Sequence, residues 1–473
     1  MIISHLGPNP RRCPAATARL WPVAALALLL FGCSVGPDYK RPETPTPPNW
    51  LASPEPVAWP SAGWWHGFGS DKLDGYIAQA QSANYDLAAA MARVREADAQ
   101  ARIAGAPLLP SIGAEADVTH ERASTGTGNL KTFTAYAPGL TASYELDFWG
   151  KNRAAATAAE ASAAASRFDQ ATVELTIMTS VATSYFQALE LRDRLNVAEN
   201  NLASAETILQ GLKLQENVGT SAALDVAQQE TTVATLNAAI PPLRQQLRQT
   251  IDALAILLGQ PAEDLDITDG TLADLALPTV APGLPSELLA RRPDVAEAEA
   301  KLQSANANIT VARAAFFPSI QLTGSAGFAS TALASAFNPA NGLFSLGAGL
   351  TQPIFEGGAI EGQYELSKAT YDEIQADYRK SVIAAFGNVE DALTGVQQTT
   401  DQVARQDNAT AAARRAYEIA QSQLHAGTIN ILTVLNTEGA LFTAEDALVQ
   451  AKFARLQALV TLFNALGGGW QQS

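Results

Sequence analysis

The chain has few of the residues from which most catalytic and metal sites are built. Its 473 residues include two cysteines and four histidines, none clustered at metal-ligand spacing. It contains no phosphate-binding loop, dinucleotide fingerprint or nucleophile elbow. Positive charge is scarce, and the net charge of −16 disfavours nucleic acid as a partner. The composition therefore predicts neither an enzyme nor a metal-binding or nucleic-acid-binding protein. Aromatic residues make up only 7%, which suits long helices packed through small side chains.

The apolar run near the start is short. Residues 21–31 follow three arginines and cannot span a bilayer as a mature helix, which is typical of a signal peptide, here residues 1–32. The run ends in Leu30-Phe31-Gly32-Cys33, which resembles a bacterial lipobox. We therefore expect Cys33 to be lipidated and to begin the mature chain; plain secretion is the alternative. Ser34, by resemblance to known lipoproteins, favours the outer membrane.

A spacing of 208 residues recurs along the chain. Gly219 and Gly427 both interrupt long helical patterns, and 427 − 219 = 208. The same spacing relates Pro110-Ser111-Ile112 to Pro318-Ser319-Ile320, Asp86 to Asp294, Gly150 to Gly358, Leu224 to Leu432, Glu230 to Glu438, and Leu258-Gly259 to Leu466-Gly467. Matches spread this widely predict two structural repeats, residues 72–259 and 286–467. We expect an extended segment at 33–71, a proline-rich linker at 260–285 and a tail at 468–473.

Both repeats are predicted to contain the same elements in the same order. A first helix, with Leu73, Ile77 and Ala80 on one side in the first copy, ends at Pro110 or Pro318. Two strands with alternating apolar and polar residues follow, clearest at 143–148, 320–328 and 344–350. A helix of about 65 residues then runs to the glycine, and a returning helix pairs with it as an antiparallel coiled coil. We expect Pro241-Pro242 to interrupt the first returning helix.

Four strands per chain suit a membrane barrel but cannot close one. Lipid tolerates no open sheet edge, and barrels begin at about eight strands. We therefore expect oligomerisation, to eight strands in a dimer or twelve in a trimer. In this interpretation Glu115, Asp117, Glu145 and Asp147 must face the lumen. The alternative is a small soluble sheet at the end of a coiled coil.

Several motifs in order carry a family resemblance. They are CSVGPDYKRP at Cys33, WWHGFGSDKLDGYIAQA at Trp64, YELDFWGKNRAA at Tyr144, residues 283–328, and QPIFEGGAIEGQYE at Gln352. Together they resemble the TolC-like outer membrane efflux factors, and among these the NodT-type lipoproteins of resistance-nodulation-division (RND) pumps. The resemblance covers nearly all of the mature chain. It implies an α+β membrane protein, a homotrimer with a long antiparallel coiled-coil tunnel and a twelve-stranded β-barrel to which each protomer gives four strands.

The resemblance also assigns roles to residues around the two glycines. The periplasmic tips, which in the family meet an adaptor protein, would comprise Gly219, Thr220, Ser221, Gly427 and Thr428. Glycine suits a turn that needs positive φ.

The family's tunnel narrows near these tips, often at aspartates on the inner helix. Here Thr433 and Asn436 stand where acids are common, which departs from the charged gate of the family, and Asn436 would close the tunnel through hydrogen bonds. Asp225 keeps an acid near the first tip, and its alternative role is a helix-start acid favoured by the dipole. These three residues are the constriction candidates.

The function that the resemblance implies is a passive exit duct for small molecules such as drugs or other toxic compounds. Its partners would be a periplasmic adaptor (membrane fusion) protein, an inner membrane RND-type transporter and outer membrane lipid. We expect no cofactor beyond the covalent lipid on Cys33. The alternatives are the outer membrane duct of a type I protein secretion system and a structural coiled-coil lipoprotein without a channel. The sequence does not identify the cargo.

Overall fold

The structure, a computed structural model, describes residues 34–51, 59–124, 130–280 and 283–471. The signal peptide at 1–32 and Cys33 lie outside the described residues, and lipidation therefore stays a prediction. The described chain forms two units. We call them the sheet unit (the described residues within 34–40, 100–160 and 303–372) and the helical unit (the described residues within 41–99, 161–302 and 373–471).

The two repeats contribute matching series of long elements. The first consists of α1 (Asp71–Ala83), α2 (Tyr85–Gly105), β1 (Ser111–Ser124), β2 (Leu130–Glu145), α3 (Lys151–Asn217) and α4 (Ala223–Leu257). The second consists of α5 (Pro285–Leu288), α6 (Pro293–Ala314), β3 (Ser319–Phe328), β4 (Gly342–Thr351), α7 (Ala359–His425) and α8 (Ile431–Ala465). Short 3-10 helices lie at Trp64–Phe68, Ala106–Leu108, Ala262–Asp264, Leu272–Asp274, Leu333–Ser335 and Pro339–Asn341.

The long helices confirm the predicted pair of helical hairpins. Both α3 and α7 have 67 residues, and both returning helices, α4 and α8, have 35. None of the helices in the described part of the chain has an apolar stretch long enough to cross a membrane.

The sheet unit contains one antiparallel sheet in the order β1-β2-β3-β4. Paired residues of neighbouring strands lie on the same face, so the register Ile112↔Ala142↔Gly324↔Leu346 places even-numbered strand residues together. That face is mostly apolar and includes Ile112, Val118, Leu140, Leu322, Phe344, Leu346 and Leu350. The odd-numbered face is mostly polar and includes Glu115, Asp117, Thr141, Ser143, Thr323 and Ser345. The alternation predicted for the strands is therefore confirmed.

The second strand ends earlier than the alternation predicts. β2 stops at Glu145, and the carboxylate of Asp147 accepts hydrogen bonds from the backbone N–H groups of Asn152 (3.1 Å) and Arg153 (2.9 Å). The prediction that Asp147 lies in the strand is therefore wrong. Its carboxylate caps α3, because the first N–H groups of a helix have no intrahelical partner.

The core of the helical unit forms around aromatic residues that precede α1. Trp64 is buried and stacks on Phe463 of α8, with 4.8 Å between the ring centroids. Leu73 and Ile77, one helical turn apart on α1, are buried in the same cluster together with Ala80. The apolar side predicted for the first helix is confirmed, although that helix breaks at Asn84 into α1 and α2.

Corresponding glycines of the two repeats make the same close contact. Gly259 follows α4 with φ of +69°, and a Cβ added to it would lie 2.2 Å from the carbonyl oxygen of Ala83. Gly467 follows α8 with φ of +81°, and a Cβ there would lie 2.0 Å from the carbonyl oxygen of Arg291. Gly259 and Gly467 are 208 residues apart, and so are Ala83 and Arg291. The repeat therefore extends to the packing of the backbone.

Asn84 and Arg292, which directly follow Ala83 and Arg291, differ in chemistry but make the same kind of contact. The side-chain amide of Asn84 donates to the carbonyl of Leu257 at 2.8 Å. At the corresponding place, the guanidinium of Arg292 donates to the carbonyl of Ala465 at 3.1 Å. Each bond satisfies a carbonyl that the end of a returning helix leaves unpaired.

The two prolines do not interrupt the first returning helix. α4 is continuous through Pro241 and Pro242, so the predicted break there is wrong. Both prolines are exposed, whereas their neighbours Ile240 and Leu243 are buried. The carbonyls of Asn237 and Ala238, which lose their helical donors, belong to exposed residues and remain accessible to water. Packing of the opposite side therefore maintains the helix.

Alanine substitutions at Gly427 and Gly467, which belong to the same hairpin, distinguish the cost of a left-handed backbone from the cost of a steric clash. Gly427→Ala costs about 1–2 kcal/mol because alanine disfavours a left-handed backbone, while no atom obstructs its Cβ. Gly467→Ala adds a collision with a backbone oxygen, and we expect a much larger fall in the thermal unfolding midpoint or loss of folding. Circular dichroism of the purified protein measures both. Equal losses at the two sites would contradict the packing described for Gly467.

Candidate functional site: the hairpin ends

The two ends at which the long helices turn back have the same backbone geometry. Gly219 has φ of +76°, and its N–H donates to the carbonyl of Glu216 at 2.9 Å. The N–H of Thr220 donates to the carbonyl of Gln215 at 2.8 Å. The second turn repeats both bonds 208 residues later at Gly427, with distances of 2.9 and 3.0 Å. This pattern is a Schellman cap, which satisfies the last carbonyls of a helix.

The threonines after these glycines reinforce the turns. The hydroxyl of Thr220 donates to the carbonyl of Gln215 (3.1 Å), and the hydroxyl of Thr428 donates to that of Gln423 (3.0 Å). Both threonines and both glycines are exposed, and Ser221 is half-buried. The tip residues predicted from the sequence therefore form two turns that present a surface in the single chain. Their contact with an adaptor stays a prediction.

The two returning helices begin with different caps. In the first, the carboxylate of Asp225 accepts from the N–H of Ala222 and the hydroxyl of Ser221, both at 3.3 Å. In the second, the side-chain oxygen of Asn430 accepts from the N–H and the hydroxyl of Thr433, at 3.2 and 3.0 Å. Either arrangement satisfies donors that a helix start leaves free.

These caps bear on the three constriction candidates. Asp225 lies at the start of α4 in the role of a capping acid, the alternative given for it from the sequence. Thr433 is engaged with the cap of α8, while Asn436 is exposed one turn further on. Asn436 is therefore exposed in the single chain. A part for Asp225, Thr433 or Asn436 in a constriction stays a prediction.

An apolar cluster joins the two hairpins just behind the tips. Leu212 of α3, Val226 of α4, Ala420 of α7, and Ile431 and Val434 of α8 are buried in it. All four long helices contribute, so burial of this cluster favours their association. The two turns therefore lie next to a packed apolar cluster.

A buried polar group that the sequence did not single out lies next along these helices. Glu438 of α8 and Gln229 of α4 are both fully buried. The amide nitrogen of Gln229 donates to the carbonyl of Ala205 on α3 at 2.8 Å. Among the described residues, neither carboxyl oxygen of Glu438 nor the side-chain oxygen of Gln229 has a partner at hydrogen-bond geometry. Glu438 corresponds to Glu230 of the first repeat. Because both residues are glutamates, the sequence could not show that they differ in burial.

Burial determines the protonation of this group. It raises the pKa of Glu438 to about 7, and the neighbouring Gln229 amide lowers it only in part. Burial also raises the pKa of Tyr417 on α7 to about 12, with a further rise from the negative charge of Glu438. The hydroxyl of Tyr417 accepts a hydrogen bond from Gln421 at 2.6 Å. Glu438 is therefore the group in this region that titrates near neutral pH.

Among the described residues, no cluster of three or more His, Cys, Asp or Glu side chains could hold a metal ion. The geometry offers turns, an apolar base and a buried carboxyl, which suit contact and conformational change.

Comparison with known proteins agrees with this geometry. The family model described as "Outer membrane efflux protein" matches the chain twice, over residues 76–260 and 284–468. The pyoverdine export outer membrane protein OpmQ of Pseudomonas putida is 40% identical over 465 residues, covering 94% of this chain and 96% of that protein. The cation efflux system protein CusC of Escherichia coli strain K12 is 31% identical over 456 residues, covering 94% and 98%. The Campylobacter jejuni CmeC outer membrane channel superimposes with a TM-score of 0.87 at 25% identity, covering 93% and 96%.

Two asparagines near the second tip are expected to differ in effect. Asn430→Ala removes the cap of α8 and should cost about 1 kcal/mol, lowering the thermal unfolding midpoint. Asn436→Ala removes an exposed side chain and should leave the midpoint unchanged. A lower midpoint for Asn436→Ala, or none for Asn430→Ala, would contradict these assignments.

Proposed function

The chain belongs to the outer membrane efflux protein family, and from this premise we propose that it is the exit duct of an RND-type tripartite pump with a small organic cargo. Outer membrane efflux channels are homotrimers that work with adaptor proteins and inner membrane pumps. The observation that carries the proposal is that the family model covers both repeats. The two-faced sheet and the paired helical hairpins are what a barrel and a tunnel require of each protomer.

The tips are proposed as the adaptor contact. Beyond each turn a leucine is exposed at the same repeat position, Leu224 at 65% and Leu432 at 46%. The backbone groups of the two turns are hydrogen-bonded within the turns. The leucines therefore add exposed apolar area beside a backbone that has no need of a polar partner. Such a surface favours the apolar side of a helical partner over a charged one.

The cargo is proposed from the comparisons. OpmQ, named for pyoverdine export, is 40% identical, whereas CusC, named for cation efflux, is 31% identical at the same coverage of this chain. The difference favours an organic compound of the pyoverdine kind over a metal cation. The drugs and toxic compounds expected from the sequence belong to the same broad class of small solutes.

A deletion strain tests the duct and the adaptor contact together. Wild-type protein should restore export of a low-molecular-mass compound, measured by mass spectrometry of the medium. The Leu224→Glu/Leu432→Glu variant should fail while reaching the outer membrane at normal levels, because charge replaces apolar contact area. Leu224→Met/Leu432→Met is the matched control and should restore export.

The outcomes separate the alternatives. An unchanged profile of small compounds together with loss of a secreted protein would indicate a type I secretion duct. Sensitivity to cation salts without loss of an organic compound would overturn the proposed cargo. Full activity of the double glutamate variant would overturn the contact at the tips.

The lipid anchor is proposed on the lipobox-like sequence that ends at Cys33. Wild-type protein should incorporate labelled palmitate, and Cys33→Ala should not. Since an acyl chain adds about 0.8 kcal/mol per buried methylene to membrane binding, Cys33→Ala should also reduce membrane retention of chains that have not yet assembled. Equal labelling of both proteins would exclude Cys33 as the attachment site.

A further inference from the structure

The carboxyl of Glu438 lies where all four long helices meet. Around it are Gln229 on α4, whose amide also reaches the carbonyl of Ala205 on α3, and the phenol of Tyr417 on α7. Both carboxyl oxygens are buried, and neither has a partner at hydrogen-bond geometry among the described residues. Such a group is costly when charged, because a buried carboxylate needs several donors or a cation, and here the amide of Gln229 favours the charged form less than burial disfavours it.

Protonation removes the charge that burial disfavours. The amide of Gln229 donates to the carbonyl of Ala205 and also lowers the pKa of Glu438, but burial raises that pKa by more. In the protonated form the carboxyl is neutral and gains an O–H donor, so its burial costs much less than burial of the carboxylate.

We propose that Glu438 is a proton-binding latch between the two helical hairpins. With the proton bound, the carboxyl is neutral and α8 packs against α4. When the proton leaves, the buried charge favours a looser arrangement in which water reaches the carboxylate and the two hairpins separate near their tips.

The groups that face Glu438 from the packed helices support a proton rather than a metal or an ion pair. α4 presents an amide, which also donates to a carbonyl of α3, and α7 presents a phenol whose pKa lies far above neutral pH. No cation or further anion shifts the pKa of Glu438. Other charged residues nearby along the four helices are exposed or ion-paired: Glu206, Lys213, Glu230, Arg414, Glu418 and Glu445.

The direction of the pH dependence follows from the pKa values. The pKa of Glu438 is about 7 when packed and 4.5 for an ordinary glutamate. The packed arrangement is therefore most favoured below pH 4.5 and is progressively disfavoured as the pH rises to about 7. The difference between these two pKa values allows the ratio of packed to loosened forms to fall by at most about 300-fold. Between about pH 5 and about pH 8 we expect a fall of roughly 70-fold.

The first repeat offers a matched control. Glu230 occupies the position that corresponds to Glu438, but it is exposed and pairs with Lys213 at 2.7 Å. Glu230→Gln removes the same charge from a hydrated site. It should therefore leave the pH response of the hairpins intact, whereas Glu438→Gln should abolish that response.

Hydrogen exchange of the purified full-length protein tests the latch. After correction for intrinsic exchange, protection around residues 205, 229, 417 and 438 should fall up to about 70-fold from about pH 5 to about pH 8 in wild type and Glu230→Gln. In Glu438→Gln it should stay constant. Equal responses in wild type and Glu438→Gln would overturn the latch.

A measurement on the wild-type protein covers the case in which Glu438→Gln does not fold. The infrared carbonyl band of a protonated carboxylic acid should persist at pH 6 and disappear through a transition near pH 7. Its absence at pH 6 would overturn the proposal without any variant.

The consequence for transport rests on the proposed duct function. In planar bilayers, the open probability of wild type should rise from about pH 5 to about pH 8, and that of Glu438→Gln should not. Conductance with identical pH responses in both would overturn the latch as a gate and leave the duct intact. Absence of conductance in every variant would contradict the duct, while the exchange result would still decide on the proton site.

Discussion

The unpaired edges of the four-stranded sheet are the constraint on which the rest of the structure depends. β1 and β4 each have one side without a strand partner among the described residues. The sheet's apolar face is open as well, with Ile112 at 75% and Leu346 at 84% exposure in the single chain. In lipid, each unpaired backbone group costs several kcal/mol, so both edges must find strands on other copies. The homotrimers of this family meet that requirement with three identical sheets.

The two repeats share a backbone framework and differ in polar chemistry. Both hairpins turn through a Schellman cap at glycine, and both returning helices end with a glycine against a backbone carbonyl. Within this framework an amide at Asn84 corresponds to a guanidinium at Arg292, and an exposed Glu230 corresponds to a buried Glu438. Packing thus conserves the geometry that both copies need, while individual polar groups acquire separate roles.

The sequence predicted most of the fold because its signals are local. Alternation with period two identified the strands and their faces, and the 208-residue spacing located both hairpins. Two of the predictions failed for different physical reasons. The Pro241-Pro242 pair lies on an exposed side whose carbonyls water can satisfy, and Asp147 caps a helix instead of extending a strand. The buried Glu438 could not be recognised, because its burial depends on other helices, which supply Gln229 and Tyr417, and its repeat partner Glu230 is also a glutamate.

The central claim is that other copies of the chain close the edges of the sheet, and disulfide trapping tests it most directly. One cysteine would be placed on the polar face of β1 and a second on the polar face of β4 of the same chain. Several such pairs would sample different registers between the two strands. If three copies close a ring, oxidation in the outer membrane should give covalent dimers and trimers and no larger species. A ladder that continues beyond three chains, or only monomers at every offset, would contradict the account.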